Sequence, residues 1–257
     1  FALLPRQALL IHIKEDLMGV RKASRKPRYE EQNDNVVDFQ VYKKKRQVHI
    51  LPRNKNQEAY MLSILDYTKD IVFGVGPAGT GKTLIAVKIA IKLLKEGQIE
   101  RIVVTRPAVS ADEDLGFLPG TLEQKMAPWT RPIFDVLREY YNKREITLMI
   151  DEGIIEIAPL AYMRGRTFKD SFILADEMQN ATPNQMKMLL TRIGEHSQMV
   201  VTGDLAQADR IDSNGLLSFL THLQGKNSSC IDVIKFQHYD IERHRAVKEV
   251  LQIYGDE

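Results

Sequence analysis

Short, almost wholly apolar runs alternate along this chain with longer stretches that are apolar on one side only. Ile71-Val72-Phe73, Arg101-Ile102-Val103-Val104-Thr105, Phe172-Ile173-Leu174-Ala175-Asp176, Gln198-Met199-Val200-Val201-Thr202 and Cys230-Ile231-Asp232-Val233-Ile234 have strand length and strand composition. Between them, Leu84 to Leu94 continues without Pro or Gly, as a helix requires. Glu58 to Tyr67 places Tyr60, Ile64 and Leu65 or Tyr67 at helical spacing. Thr182 is an N-cap with Pro183 in the first turn, and Gly194 is the expected end of that run. Strands apolar on both sides and separated by helices predict an α/β fold, a mainly parallel five-stranded sheet covered by helices on both faces. One such domain is expected over residues 49–257, with residues 1–48 as a separate N-terminal extension.

The extension differs in character. Phe1-Ala2-Leu3-Leu4 and Ala8 to Ile13 are apolar but lack a basic leader and a small-residue cleavage site, so a packed element is expected there. Arg21 to Arg28 and Lys43-Lys44-Lys45-Arg46 are basic, and only Val36 to Tyr42 has enough apolar character to add an edge strand. The stretch reads either as a solvated linker or as an arm in which Tyr29 and Tyr42 stack bases beside phosphate-binding cations.

The chemistry centres on Gly76-Pro77-Ala78-Gly79-Thr80-Gly81-Lys82-Thr83, which fits G-x-x-x-x-G-K-T between a strand and a helix. In such a loop backbone N–H groups turn inward to cradle phosphates and the helix N-terminus adds positive charge. Lys82 would reach the β- and γ-phosphates, and the Thr83 hydroxyl would take a position on Mg²⁺. Asp176-Glu177 closes an apolar strand at the carboxyl edge of the sheet, where open α/β folds bind ligands. Asp176 is the expected second magnesium residue, and Glu177 the carboxylate that activates a water toward the γ-phosphate. That second acid argues for hydrolysis of ATP rather than transfer to an acceptor. Gln207 or Asp204, after the fourth strand, would sense the γ-phosphate. Gln57 has two readings, a helix-capping partner of Asn54 and an amide that reads adenine. Arg106, Arg131, Arg164, Arg166, Arg192 and Arg243 are candidates to stabilise transferred charge.

Composition narrows the partners. Of 257 residues, 36 are Lys or Arg and 34 Asp or Glu, so the net charge of +2 gives no general pull on nucleic acid and any such binding must be local. The single cysteine, Cys230, excludes an internal disulfide and suits a reducing, cytoplasmic setting. No apolar run reaches membrane-spanning length. The long connection from 106 to 171 carries Trp129 with Lys125 and Arg131, and Tyr162 with Arg164 and Arg166, aromatic–cation groupings suited to single-stranded RNA. Trp129 also reads as a packed helix face.

These residues together resemble the PhoH family of P-loop ATPases, from about Gln57 to Tyr254. The likeness rests on Gly76 to Thr83; Thr105 to Val109 with Leu115 to Gly120; Ala158 to Thr167; Asp176 to Asn180; Gly203-Asp204 with Gln207 and Asp209; and Arg243-His244. It implies a P-loop NTPase, RecA-like core similar to that of superfamily-one helicases, ATP and Mg²⁺ as ligands, and an RNA substrate that the chain would remodel as a helicase. Arg243 would be the charge-stabilising arginine. With one phosphate loop per chain, a homo-oligomer is expected, a ring such as a hexamer in which an arginine completes a neighbour's site. A nucleotide-gated scaffold acting on a protein partner is the alternative.

Overall fold

A computed structural model describes residues 47–107, 122–208, 214–242 and 245–254. The extension before residue 47, with its basic clusters and the expected strand at Val36 to Tyr42, lies outside these residues. So do the segment 108–121, Asp209 and Arg243-His244.

The chain runs α1 (Lys55–Leu65), β1 (Ile71–Val75), α2 (Lys82–Lys95), β2 (Arg101–Arg106), α3 (Leu122–Arg138), α4 (Lys143–Asp151), β3 (Ile155–Pro159), β4 (Ser171–Ala175), α5 (Pro183–Leu190), β5 (Gln198–Gly203), α6 (Gly215–Leu223), β6 (Ile231–Lys235) and α7 (Arg245–Tyr254). Among the described residues the sheet has six strands, all parallel, in the order β3-β2-β4-β5-β1-β6. Five of them are the runs expected from the sequence. The sixth, β3, was expected only as part of a long connection. It sits at the sheet edge and carries a half-exposed Glu156 and a terminal Pro159, so it lacks the unbroken apolar signature of its neighbours. By contrast every residue of β1, β4 and β5 is buried.

Successive residues of each strand point to opposite faces, and each face has its own core. Val72, Val104, Phe172, Leu174 and Val200 pack with Tyr60 and Ile64 of α1, Ile89 of α2 and Leu137 of α3. Phe73, Val103, Ile173 and Val201 pack with Met186 and Leu189 of α5 and Leu216 of α6. Burying one such aromatic or aliphatic side chain contributes about 1.5–3 kcal/mol.

Helix ends follow the expected local chemistry in part. Thr182 and Gln185 form a reciprocal capping box at α5, with Pro183 at its first turn. That helix ends at Leu190 with Thr191 as its cap, earlier than the expected Gly194, whose N–H instead reaches the Phe168 carbonyl at 2.7 Å. At the end of α1, carbonyls left without helical partners are met from the sheet: Gln198 Nε2 donates to Ile64 O at 2.7 Å and to Lys69 O at 2.8 Å.

Register places the chemistry on one edge. Val75 pairs with both Gly203 and Lys235, so β1, β5 and β6 finish level, whereas Thr105 pairs with Ala175 and Ala175 with Val201, so β4 ends two residues short of β5. Gly76 and Asp204 therefore leave the sheet side by side, and Asp176 and Arg106 leave it level with Thr202, all on the same carboxyl edge. β5 lies between β1 and β4, so the Thr202-Gly203-Asp204 segment ends between the phosphate loop and Asp176.

Candidate nucleotide site

The loop between β1 and α2 is shaped by Gly76, Gly79 and Gly81, at φ of 145°, 80° and 83°. Gly76 has a second constraint, since a Cβ there would run into the Phe236 carbonyl. The turn formed by His238–Asp240 follows β6 and backs the loop, with Glu242 N–H donating to Gly79 O at 3.1 Å. Inside the loop Lys82 Nζ donates to Gly76 O and Pro77 O, both at 2.6 Å, and to Thr80 Oγ1 at 3.2 Å. Burial lowers the Lys82 pKa, against the opposing pull of Asp204, Glu177 and Asp176. The Lys82 hydrogen bonds go to neutral loop oxygens and not to a carboxylate, which leaves its charge to a phosphate oxygen that displaces one of them.

Thr83, in the first turn of α2, donates to Asp176 Oδ1 at 2.8 Å. Thr202 at the end of β5 also donates to Asp176 Oδ1. Asp176 is itself held at the end of β4, its N–H on Thr105 O at 2.9 Å. The two residues expected to share magnesium are thus in direct contact. Among the described residues no cluster of three or more His, Cys, Asp or Glu could cage a metal. One hydroxyl and one carboxylate beside a phosphate cradle fit a hard cation that keeps waters and phosphate oxygens as its other ligands.

Glu177 follows with φ 55° and ψ 39°, a left-handed conformation uncommon for a residue with a side chain. Its Oε2 accepts from Gln179 Nε2 at 2.6 Å. Asp204 is buried, its Oδ2 accepting from Ala78 N–H of the phosphate loop at 3.2 Å and its Oδ1 from Ala206 N–H at 3.0 Å. Gln207 is exposed at the lip. Lys82, Thr83, Asp176, Glu177, Asp204 and Gln207 all line one cavity of about 340 Å³. Among the described residues no arginine lines it.

Gln57 is buried beside this loop. Asn54 caps its N–H at 2.9 Å, but the Gln57 amide does not return to Asn54 as a capping box would have it. Its Oε1 accepts from Arg53 N–H at 2.8 Å and its Nε2 donates to Thr80 O at 3.0 Å, so the side chain braces the phosphate loop. A second cleft, lined by Leu51, Pro52, Gln57, Gly81 and Leu84, opens next to it.

The candidate arginines separate. Arg166 makes a bidentate pair with Glu156 and lies over the Phe168 ring, and Arg192 is tied to Met188 O and Arg166 O. Both hold the fold. Arg106 is half-buried near Asp176, and Arg131 and Arg164 are exposed. Arg243 and the side chains of Trp129 and Lys125 lie outside the described residues. Sequence reasoning assigned no role to Thr202 or to Gln179, which reach Asp176 and Asp204 across 26 and 25 residues; the only signal was their place in motifs adjoining strand ends.

The family model described as PhoH-like protein matches residues 49–255. Among curated relatives, a PhoH-like protein of Bacillus subtilis (strain 168) is 41% identical over 223 residues, 86% of this chain and 69% of that protein. A PhoH-like protein of Mycobacterium tuberculosis (strain ATCC 25618 / H37Rv) is 46% identical over 208 residues, 80% of this chain and 58% of that protein. Protein PhoH of Escherichia coli (strain K12) is 41% identical over 210 residues, 80% of this chain and 58% of that protein. The chain therefore spans well under the full length of these relatives. Among solved structures the Pif1 helicase from Candida albicans aligns at 16% identity with a TM-score of 0.39, over 80% of this chain and 44% of that one, too slight a likeness to carry weight. No helix among the described residues is long and apolar enough to cross a membrane.

Proposed function

The chain belongs to the PhoH family, and from that premise we propose that it binds ATP with Mg²⁺, hydrolyses it, and couples hydrolysis to a conformational change on single-stranded RNA. The observation that carries this reading is the convergence of the phosphate loop and the paired acids, with Thr83 Oγ1 at 2.8 Å from Asp176 Oδ1. When bound there, magnesium supplies positive charge to the β- and γ-phosphate oxygens. Lys82 exchanges a loop carbonyl for a phosphate oxygen, and the loop N–H groups bind the remaining charge. Glu177 accepts a proton from a water whose oxygen bonds to the γ-phosphorus, while the bond to the bridging oxygen breaks and ADP leaves. Gln207, at the lip, reports the γ-phosphate. Gln57 bridges loop and base, its brace on Thr80 lying beside the cleft of mixed apolar and charged residues that would take adenine.

Support for RNA comes from the turn Leu160–Met163 after β3, on the same edge of the sheet as the phosphate loop. Tyr162 is 60% exposed and Arg164 is exposed, a pairing suited to stacking a base and holding its phosphate. A head-to-tail homo-oligomer is part of this reading because the chain carries one phosphate loop, and no arginine among the described residues lines its nucleotide cavity. A neighbour's guanidinium, or Arg243, would then neutralise the charge that develops.

The test is phosphate release from magnesium ATP with and without a single-stranded RNA oligonucleotide. Release stimulated by RNA, with the stimulation falling as salt rises, is expected. No release under either condition contradicts the hydrolase; release indifferent to RNA contradicts the RNA coupling and favours a nucleotide-gated scaffold.

A further inference from the structure

Glu177 is a flexible side chain with a demanding proposed role, and what fixes it is Gln179. The left-handed backbone at Glu177 leads into the tight turn Met178–Asn180, which curls the Gln179 side chain back toward the carboxylate. Gln179 is 1% exposed and both ends of its amide are used. Nε2 donates to Glu177 Oε2 at 2.6 Å, and Oε1 accepts from Asp204 N–H at 3.1 Å. Only one orientation works: a flipped amide would set a carbonyl against a carboxylate and an NH₂ against an N–H. Gly203 leaves room for it, since a Cβ there would stand 3.0 Å from Gln179 Oε1 and collide with Leu216. Beyond Asp204 the chain of contacts reaches the phosphate loop, through Ala78 N–H on Asp204 Oδ2 at 3.2 Å.

We propose that Gln179 is the positioning residue of the hydrolytic site: its buried amide orients the Glu177 carboxylate and ties it, through Asp204, to the loop that holds the phosphates. The inference rests on the hydrolase reading above. Glutamine is required because the bridge must donate at one end, accept at the other, and span both. Methionine matches its length but does neither, and asparagine does both but is one methylene short.

The full chain carrying Gln179→Met or Gln179→Asn is compared with wild type for kcat and KM on magnesium ATP, affinity for a fluorescent ATP analogue, and Tm. Both variants are expected to lose ~10- to 100-fold in kcat while KM and analogue affinity stay within about twofold, because a displaced base slows chemistry and leaves phosphate contacts alone. In single-turnover reactions, adding either substitution to Glu177→Gln is expected to cost nothing further, since a bridge to an absent base has nothing left to orient. The asparagine variant keeps a polar group beside Asp204 N–H and guards against a collapse of the site in the methionine variant. Wild-type kcat in both variants, losses that multiply with Glu177→Gln, or KM and analogue affinity worsening in step with kcat would each overturn the role of Gln179. A wild-type chain that releases no phosphate, or a Glu177→Gln chain that turns over normally, would overturn the hydrolase reading first and this inference with it.

Discussion

The centre of the sheet and its β3 edge are built on opposite plans. Where β4, β5 and β1 end, the acidic side chains are each held by a hydrogen bond: Asp176 by Thr83 and Thr202, Glu177 by Gln179, and Asp204 by the N–H of Ala78. At the outer edge, Arg166 is bound to Glu156 and only braces the turn, whereas Tyr162 and Arg164 project into solvent. A preorganised cluster suits a reaction whose geometry never changes. An open aromatic–cation surface suits a partner that slides or varies. The two regions share one edge of one sheet, so a motion at the first is mechanically near the second.

The sharpest way to break this contrast is Lys82→Ala. It removes the cation that faces three carboxylates, and affinity for ATP is expected to fall by about 100-fold or more, read by titration of a fluorescent analogue. Comparable binding in this variant would mean the centre is not organised around phosphate. Next, Tyr162→Ala combined with Arg164→Ala is expected to weaken single-stranded RNA binding by ~1–3 kcal/mol, measured by fluorescence anisotropy, while hydrolysis without RNA stays as in wild type. A loss of RNA-free hydrolysis would show that the two regions are not separable.

The smallest effect is expected at Tyr60, beneath the phosphate loop. Its hydroxyl is buried with no hydrogen-bond partner among the described residues, and burial, with Asp176 nearby, raises its pKa well above the ordinary tyrosine value of 10.0. Tyr60→Phe should therefore be neutral or stabilising by up to about 1 kcal/mol in thermal unfolding. The sign of its pH dependence follows from that shift. Above pH 10 the unfolded chain releases the phenolic proton while the folded chain retains it, so stability falls as pH rises past 10. The phenylalanine variant should lose that part of the alkaline decline.

What could be read from the letters divides along the same line. The central strands are legible because burial on both faces leaves their middles apolar, with polar residues such as Ser171, Gln198 and Thr202 only at or near their ends, and the phosphate loop is legible because its chemistry is local, eight consecutive residues. β3 is hidden because an edge strand tolerates Glu156 and Pro159. Contacts between distant residues are hidden for a different reason. Gln57 suggested a box with Asn54 three residues away, yet its amide serves Arg53 and Thr80, and Thr202 meets Asp176 across 26 residues. Spacing along a chain predicts partners within a turn of helix; it says nothing about which strand ends a sheet will bring level.

The most direct measurement is a single pair of observations on Glu177→Gln, which keeps the shape of the side chain and removes its capacity to take a proton. Binding of the fluorescent ATP analogue should match wild type, while the rate of phosphate release from magnesium ATP should fall by ~10²–10⁴-fold. Release within about twofold of wild type, at unchanged affinity, would contradict the assignment of Glu177 as the base and with it the hydrolytic mechanism.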